Sequence, residues 1–382
     1  MRCTGSYATS TTLGEAVQAF VPFPLPPGEP VLAPACFEAG NHAAELALAR
    51  LSGVSGLVPS VDWLLYSAVR KEALLTSQIE GTQATLIDLF DEEAGFAIGN
   101  ADDVEEVTNY LRAFRLVQDN LRNPAGLPIS VRLLCDAHRL LLSGVRGSGK
   151  QPCELRGSQI WIGGTRPGNA AFVPPPADRV ADLLADVERF IHDDSVPALP
   201  PLVKIALVHA QFETIHPFLD GNGRIGRLLI AALMEHWHLL PEPLMYLSGY
   251  LKRHQSAYYQ QLSAIRTQGD WEGWVSFFLE GVAAAASESE SSIVAIASLI
   301  AADRRRLLAS PKAGPASYRL FEALPMMPRF TVELARQALN TSFPTANAAV
   351  KLLEDLGIVS ELTGQKKNRS YSYQAYIALM TR

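Results

Sequence analysis

Residues 216–227, with the sequence HPFLDGNGRIGR, constrain the fold of this chain more than any other stretch. Apolar residues before it recur at helical spacing and predict a helix over 202–213: Ile205, Val208, His209 and Phe212. Apolar residues after it form one face of a second predicted helix: Ile225, Leu228, Leu229, Ala232 and Leu233. The connection is too polar and too rich in glycine to be core. Gly221 and Gly223 would let the backbone take conformations that other residues avoid and let a ligand approach it closely.

This connection has the chemistry of a phosphate site. Its N–H groups open onto a helix N-terminus, where free donors and the helix dipole favour an anion, and Asn222 adds a neutral side-chain donor. Arg224 and Arg227 are three residues apart on the second helix, so both guanidinium groups can lie over one anion. Asp220 offers oxygen ligands suited to a Mg²⁺ that bridges phosphates. His216 is placed to take a proton from an incoming hydroxyl, so the stretch predicts a triphosphate site with its own base.

The stretch matches every fixed position of H-x-F-x-[D/E]-G-N-G-R-x-x-R, and the chain therefore resembles the Fic family (filamentation induced by cAMP). The resemblance implies protein AMPylation, in which AMP passes from ATP to a Ser, Thr or Tyr hydroxyl and pyrophosphate leaves. By position, it implies that His216 is the general base and Asp220 the Mg²⁺ ligand. The residues implied to bind ATP phosphates are Gly221, Asn222, Gly223, Arg224 and Arg227. The alternative is a helix–turn–helix corner with a buried histidine and surface arginines.

A second segment, from Thr76 to Gly81, fits the pattern [S/T]-x-x-x-E-[G/N], which forms an inhibitory helix in many Fic proteins. Thr76 and Glu80 would face the same side of a helix, and Gly81 allows close approach to the loop that the helix covers. A carboxylate near Arg227 would occupy the guanidinium that should hold the γ-phosphate, so we expect auto-inhibition by Glu80. The alternatives are a solvated helix end and a Glu80 that positions a water and removes AMP from a modified protein.

Composition argues against several other classes of protein. The formal net charge of −6, from 33 basic and 39 acidic residues, is not that of a polyanion-binding protein. Four scattered cysteines without a C-x-x-C pair argue against a structural zinc or a disulfide framework and fit a reducing cytosol. The first residues do not resemble a signal peptide, and no apolar run is long enough to span a bilayer. We therefore expect a soluble, cytoplasmic protein without membrane contact.

Helical periodicity predominates and predicts a mainly α protein. We expect a Fic-type helical core with a small β-hairpin flap, followed by a C-terminal winged helix-turn-helix domain. The predicted divisions are an N-terminal helical region with the inhibitory helix at 1–100, the Fic core at 101–290, a connecting helix and linker at 291–329, and the winged helix at 330–382. Residues 1–30 are predicted to form an extended, proline-rich arm. The resemblance also implies a homodimer that modifies itself as well as an unidentified protein target.

Residues 157–164 place β-branched and aromatic residues between glycines and predict a hairpin. In Fic proteins a hairpin here, the flap, adds backbone hydrogen bonds to an extended target segment; the alternative is a structural hairpin that covers the core. The implied target-binding residues are Gln159, Ile160, Trp161 and Ile162. Tyr250 and Tyr258 are candidates for a flat adenosine slot, although aromatic residues beside a helix are more often core.

Residues 330–382 resemble a winged helix, with predicted helices at 331–339 and 344–356 and strands at 358–362 and 370–373. A basic wing lies between the strands, and the whole segment carries six basic and four acidic residues. One interpretation is DNA binding through Lys366, Lys367 and Arg369. The other is a docking module without DNA. A DNA-binding transcriptional regulator is therefore the alternative to an enzyme.

Overall fold

Helices make up most of the chain, which confirms the predicted mainly α class. The computed structural model describes residues 2–145, 147–193, 199–365 and 367–381. The elements up to the motif are β1 (Gly5–Thr12), β2 (Glu15–Pro22), α1 (Glu38–Val54), α2 (Val61–Ile79), α3 (Leu86–Glu93), α4 (Ala101–Arg122), α5 (Val131–Leu141), α6 (Val180–His192) and α7 (Pro201–Ile215). Those after it are α8 (Asn222–His236), α9 (Leu247–Arg253), α10 (Gln255–Gln268), α11 (Trp271–Leu308), α12 (Pro315–Ala323), β3 (Arg329–Thr331), α13 (Val332–Leu339), α14 (Phe343–Asp355), β4 (Ser360–Glu361), β5 (Ser370–Ser372) and α15 (Gln374–Met380).

Helices α7 and α8 form the centre of the helical core. α7 is apolar on nearly all sides and buried along almost its whole length, as expected of a central helix. Pro201 occupies its first turn, where a missing N–H costs nothing. The apolar stripes predicted on both helices are buried. The loop between the two helices is therefore anchored at both ends in the core.

The prediction of an extended arm at residues 1–30 is wrong. β1 and β2 form an antiparallel hairpin whose turn is made by Leu13 and Gly14, both with positive φ. On β2, Val17, Ala19 and Phe20 are buried. The proline-rich stretch begins only after β2 ends. Pro22 is the last paired residue, opposite Gly5, and the other prolines follow it, so they do not interrupt the ladder.

The hairpin predicted at 157–164 does not close within those residues. Ile162 instead forms a single antiparallel bridge with Phe172, and its N–H donates to the Phe172 carbonyl over 2.8 Å. Gly163 and Gly164 turn the chain with φ of 69° and 73°, and a 3-10 turn follows at Pro167–Asn169. The prediction placed both sides of the hairpin too close together in sequence, because the second side begins only after this turn. We use the name flap for residues 158–175.

The N-terminal hairpin braces the flap. The Phe20 N–H donates to the Val173 carbonyl over 3.0 Å. The Glu15 carboxylate accepts from the Gly168 N–H at 3.0 Å and from the Arg166 guanidinium at 2.5 Å. The flap is therefore held from the side by the first strands of the chain.

The C-terminal elements α12 to α14 surround a three-stranded antiparallel sheet in the order β3-β5-β4. This order fits the winged-helix assignment, which stays a prediction. Arg329 pairs with Asp91 at the end of α3 over 2.5 Å, and the Tyr373 hydroxyl donates to Asp303 on α11 over 2.7 Å. Of the predicted wing residues, Lys366 lies outside the described residues.

Helix α11 runs without a break across the predicted domain boundary at residue 290. Its buried face includes Trp271, Trp274 and Phe278, which pack in the core as their aromatic character suggests. None of the described helices combines the length and the apolar character needed to cross a bilayer.

Candidate active site

His216 ends helix α7 in a left-handed conformation with φ of 50°. Its N–H donates to the Phe212 carbonyl over 2.9 Å. A positive φ is uncommon for a residue with a side chain and persists where the surroundings enforce it. Burial lowers the pKa of the His216 imidazole to about 4, so the ring is neutral at neutral pH and able to accept a proton.

The loop after His216 is held closed by Asn222. Its side-chain oxygen accepts from the Phe218 N–H and its amide nitrogen donates to the Phe218 carbonyl, both over 2.8 Å. Asn222 is also buried. The loop thus uses the oxygen and one N–H of the amide, and the role of this side chain as a donor to phosphate, through the second N–H, stays a prediction. Its backbone N–H remains in the first turn of α8.

His138 on α5 supports the same loop, and the sequence analysis missed it. Its Nδ1 accepts from the Cys153 N–H over 3.1 Å, so the proton lies on Nε2, which donates to the Asp220 carbonyl over 3.0 Å. The ring also stacks on Phe218 with 3.9 Å between centroids. Burial lowers the pKa of His138 to about 4, which keeps this neutral tautomer. In the sequence, only its position on the apolar face of α5 indicates that His138 is buried.

The N-terminus of α8 is open to an anion. Gly221 precedes the helix with φ of 76° and provides no side-chain cap, and its first turn has no acidic residue. The N–H groups of Asn222, Gly223 and Arg224 therefore lie in the first turn, where helices lack internal acceptors. A Cβ at position 223 would collide with Oε1 of Glu80. The backbone is thus accessible at Gly223, and Glu80 occupies the space above it.

Arg224 is a buried arginine held between two carboxylates. Its guanidinium lies 3.4 Å from Oε2 of Glu106 on α4 and 3.5 Å from Oδ1 of Asp220. Glu106 is itself buried and accepts from the Thr82 hydroxyl over 3.1 Å. Glu106 was not predicted, because nothing near it in sequence marks it as an arginine partner. The pairing offsets the cost of burying the Arg224 charge.

Arg227 is held by the end of α2, as the inhibitory pattern predicted. Its Nε donates to the Thr76 hydroxyl over 2.6 Å, and its Nη2 donates to the Thr76 carbonyl over 3.1 Å. The same Nη2 donates to Oε1 of Glu80 over 2.6 Å. The Arg227 side chain is 2% exposed and that of Glu80 is 33% exposed. Three contacts thus fix the guanidinium, and two of them come from Thr76.

The ion pair sets the charge state of both partners. Burial alone would raise the pKa of Glu80, but Arg227 lowers it below the usual value. Burial alone would lower the pKa of Arg227, but Glu80 raises it. Both groups are therefore charged at neutral pH. A phosphate that binds Arg227 must displace this carboxylate or share the guanidinium with it.

Glu213, three residues before His216, is a further carboxyl beside the site that the sequence analysis did not consider. Burial raises its pKa to about 7, and Arg227 opposes the rise. Its Oε1 is buried and accepts no hydrogen bond from the described residues. Glu213 therefore changes its charge near neutral pH, next to the Glu80–Arg227 pair.

The two predicted adenosine residues lie in the core. Tyr258 is 1% exposed, and its hydroxyl donates to Nε2 of His209 over 2.8 Å, because Nδ1 of His209 is used by the Gly226 carbonyl. Tyr250 is 6% exposed and packs against the ring of His254. Neither offers a free aromatic face, so the structure does not favour an adenosine role for them. The assignment of His209 as structural agrees with these contacts.

Tyr259, the neighbour of Tyr258, is instead about half exposed. Burial of part of its ring raises the pKa of its hydroxyl, and Glu80 raises it further, so Tyr259 faces the charged end of α2. Gln255, one turn earlier, donates to the Ile79 carbonyl over 3.3 Å. Helix α10 therefore presents an aromatic side chain beside Glu80, one position away from the residue that we predicted.

Asp220 fits the role of a single Mg²⁺ ligand. Its Oδ1 accepts from the Gly221 N–H over 2.6 Å, and the side chain is about one third exposed. No group of three or more candidate ligands exists among the described residues. Mg²⁺ is usually held by one or two carboxylates together with substrate phosphates, so one accessible carboxylate at a phosphate site is sufficient.

The predicted target-binding residues of the flap are half-buried. The Gln159 amide donates to the carbonyls of Pro174 and Ile160 over 2.8 and 3.1 Å, so it links the two sides of the flap. Ile160 and Trp161 form no strand pairing with the described residues, whereas Ile162 forms the bridge to Phe172. An extended segment alongside residues 160–162 could therefore still find backbone partners.

Comparison with known families agrees with this geometry. The model described as Fic/DOC family N-terminal matches residues 40–119, and the model described as Fic/DOC family matches residues 128–234. These two segments are therefore similar to the Fic/DOC family domains. The second match contains the whole 216–227 motif, and the first contains Thr76 and Glu80.

Two relatives of the Fic domain are named protein adenylyltransferases. One is protein adenylyltransferase fic-1 of Caenorhabditis briggsae, 30% identical over 132 residues, which are 34% of this chain and 24% of that protein. The other is protein adenylyltransferase Fic of Drosophila erecta, 28% identical over 154 residues, which are 40% of this chain and 28% of that protein. The matches thus span about a quarter of the length of these relatives.

Solved structures share the Fic fold. A Fic family protein from Desulfovibrio desulfuricans G20 aligns with a TM-score of 0.58 at 21% identity, over 90% of this chain and 98% of that one. Fic-1 (aa134–508) from C. elegans aligns with a TM-score of 0.52 at 21% identity, over 68% of this chain and 72% of that one. At 21% sequence identity, the structural similarity shows a shared fold.

Proposed function

We propose that the chain transfers AMP from ATP to a hydroxyl group of a protein and that Glu80 restrains this activity. The observation that carries the proposal is the contact of Glu80 with Arg227 above Gly223. A carboxylate held there lies where an anion would otherwise meet a buried arginine and a free helix N-terminus. The same geometry without Glu80 is a phosphate site.

The names of the relatives support AMP as the transferred group. Both proteins described above are called protein adenylyltransferases, and their matched segments cover 34% and 40% of this chain. The sequence of residues 216–227 supplies the groups that such a transfer needs: a base, an anion-binding turn, two arginines and a carboxylate. ATP and a protein hydroxyl are therefore the substrates that we propose.

The neutral His216 imidazole acts as the base. It takes the proton from the target hydroxyl, whose oxygen attacks the α-phosphorus of ATP. The bond from that phosphorus to the bridging oxygen of pyrophosphate breaks, and the electron pair leaves with pyrophosphate. Because burial depresses the pKa of His216 to about 4, the base is available at neutral pH without prior deprotonation.

The remaining residues stabilise the phosphates. First-turn N–H groups of α8 and the guanidinium groups of Arg224 and Arg227 face negative charge that moves towards the leaving pyrophosphate. When bound beside Asp220, Mg²⁺ would supply further neutralisation of the phosphate charge. Arg227 must be released from Glu80 before it can hold the γ-phosphate and so present the α-phosphorus for in-line attack.

The identity of the transferred group tests this proposal. The Glu80→Gly variant is incubated with Mg²⁺ and ATP labelled at either the α- or the γ-phosphorus, and covalent label is measured on the protein itself. We expect label from α-labelled ATP alone. Label from γ-labelled ATP alone would show phosphoryl transfer and overturn the proposal, as would the absence of label while ATP binds.

A further inference from the structure

Arg156 is a buried arginine that lies between the flap and the catalytic loop. Arg156 is 2% exposed, and no carboxylate among the described residues pairs with it. It precedes the flap by two residues and is far in sequence from the motif. An arginine buried without a carboxylate is unusual because desolvation of its charge must be offset by other polar groups.

Main-chain carbonyls provide that compensation. Nε donates to the His216 carbonyl over 2.9 Å, and Nη2 donates to the Ile215 carbonyl over 3.3 Å. Nη1 donates to the Ser158 carbonyl over 3.2 Å and Nη2 to the Pro175 carbonyl over 2.6 Å. One planar group therefore bonds the first side of the flap, the last residue of the flap and the end of α7.

Two of these bonds help to fix the backbone of His216, the proposed base. The His216 N–H is bound by Phe212 and its carbonyl by Arg156, and the Arg156 N–H also donates to the Pro217 carbonyl over 2.9 Å. The left-handed backbone of His216 is thus held on both sides. A residue in a sparsely populated conformation needs such surroundings to persist.

The Arg156 charge also acts on the imidazole. Burial is the main reason that the pKa of His216 is low, and the positive charges of Arg156 and Arg266 lower it further, while Glu80 opposes them. Burial lowers the pKa of Arg156 itself only to about 10, so it stays charged at neutral pH. A cation without a counter-ion beside a base favours the neutral form of that base.

We propose that Arg156 is the positioning residue that fixes the flap, and with it the target hydroxyl, relative to the His216 imidazole. This inference rests on the proposed function, in which the flap holds the target and His216 takes its proton. The guanidinium is the only side chain among the described residues that donates to both sides of the flap and to the His216 carbonyl. Reaction rates depend steeply on such placement, since a displacement of about 1 Å can cost about 100-fold.

The test uses Arg156→Lys and Arg156→Met in the Glu80→Gly protein. We expect the rate of self-labelling at saturating ATP to fall by about 100-fold in Arg156→Met. The ATP concentration for half-maximal rate should stay within about twofold, because Arg156 contacts no phosphate-site residue beyond His216. Arg156→Lys should restore little of the rate, since one ammonium group cannot reach both sides of the flap and the His216 carbonyl.

The matched control is Arg2→Met, which removes another buried arginine, one that pairs with Glu272. It should lower thermal stability and leave the labelling rate of the folded protein unchanged. Should Arg156→Lys label as fast as its parent, the positioning role is refuted. Folding of Arg156→Lys is checked by circular dichroism, so a loss of rate in folded protein is attributable to position.

Two further readouts do not depend on transfer. In Arg156→Met the pKa of His216, followed by NMR titration of its imidazole, should rise, whereas in Arg156→Lys it should stay low because the charge remains. Hydrogen exchange at residues 158–162 should accelerate in both variants. If Glu80→Gly labels nothing, the proposed AMP transfer is refuted, and these two readouts still test Arg156. Hydrogen exchange and a His216 pKa in Arg156→Met that equal those of the parent protein would refute the role of Arg156 as well.

Discussion

Replacement of Glu80 by glutamine should release the proposed activity only in part. Glutamine has the shape of glutamate and can still accept from Arg227, so the contact at 2.6 Å survives as a hydrogen bond from a charged donor to a neutral acceptor. What is lost is the charge of the carboxylate. The Thr76 contacts with Arg227 remain in place.

The magnitude follows from the contact and its exposure. A hydrogen bond to a charged group contributes about 1.5 to 3 kcal/mol, and glutamine keeps part of this because Arg227 stays charged. The Glu80 side chain is 33% exposed, so solvent screening limits the loss of its charge to about 1 kcal/mol. That corresponds to about a fivefold gain in rate. Glu80→Gly loses the whole contact, about 2 to 3 kcal/mol, which corresponds to about 30- to 150-fold.

The assay is the initial rate of self-labelling from α-labelled ATP at a concentration well below saturation. The rates of wild type, Glu80→Gln and Glu80→Gly are compared. The control is Glu290→Gln, which removes the charge of another paired glutamate: Glu290 on α11 pairs with Arg50 on α1. We expect the labelling rate to increase from wild type to Glu80→Gln and from Glu80→Gln to Glu80→Gly. A glutamine variant as active as the glycine variant would refute the expected partial release, because the hydrogen bond that remains with Arg227 would then contribute nothing to the restraint.

Three other changes test single contacts. In Glu80→Gly, activity should persist down to about pH 5, because the pKa of His216, about 4 in the wild type, falls further when the Glu80 charge is removed. Activity should be lost only at lower pH, where protonation removes the base. A change of activity near pH 7 that vanishes in Glu213→Gln belongs to Glu213. Glu106→Gln should lower the free energy of unfolding by about 1 to 3 kcal/mol in denaturant titrations, because Arg224 loses a buried carboxylate and keeps only Asp220; unchanged stability would refute this pairing. Asn222→Ala should weaken ATP binding in calorimetry by loosening the loop, and wild-type affinity would contradict that role.

The sequence was sufficient where the determining contacts are local. The motif is contiguous, so its glycines, arginines and carboxylate could be assigned to one turn and one helix end. Thr76 and Glu80 are four residues apart on one helix, and their shared face was predictable. That this face meets Arg227 came from the family resemblance, since 147 residues separate Glu80 from the arginine.

Partners contributed by distant segments could not be predicted. Glu106, His138 and Arg156 are ordinary residue types on helices or loops, and their roles arise only when the fold brings them to the motif. His138 lies 82 residues before the carbonyl that it binds, and Arg156 lies 60 residues before His216. No periodicity marks such pairs. A polar residue on an apolar helix face is the nearest local signal, and His138 and Glu106 both give it without indicating a partner.

The errors have physical reasons too. The proline-rich stretch suggested an extended N-terminal arm, although the alternating residues of β2 indicate a strand once the prolines are set aside. The Asn222 amide was expected to donate to phosphate, and the sequence did not indicate that its oxygen and one of its N–H groups also close the loop on Phe218. Tyr258 was named because a tyrosine suits an adenosine slot and the family resemblance pointed to this segment, and only the helix orientation distinguishes its buried ring from the exposed ring of Tyr259.

The most direct test of the central claim compares wild type, Glu80→Gly and Glu80→Gly/His216→Ala after incubation with ATP and Mg²⁺, with covalent AMP read from intact protein mass. We predict weak labelling in wild type, strong labelling in Glu80→Gly and none in the double variant. Labelling that is equal in wild type and Glu80→Gly would contradict restraint by Glu80. Labelling that survives loss of His216 would contradict its role as the base.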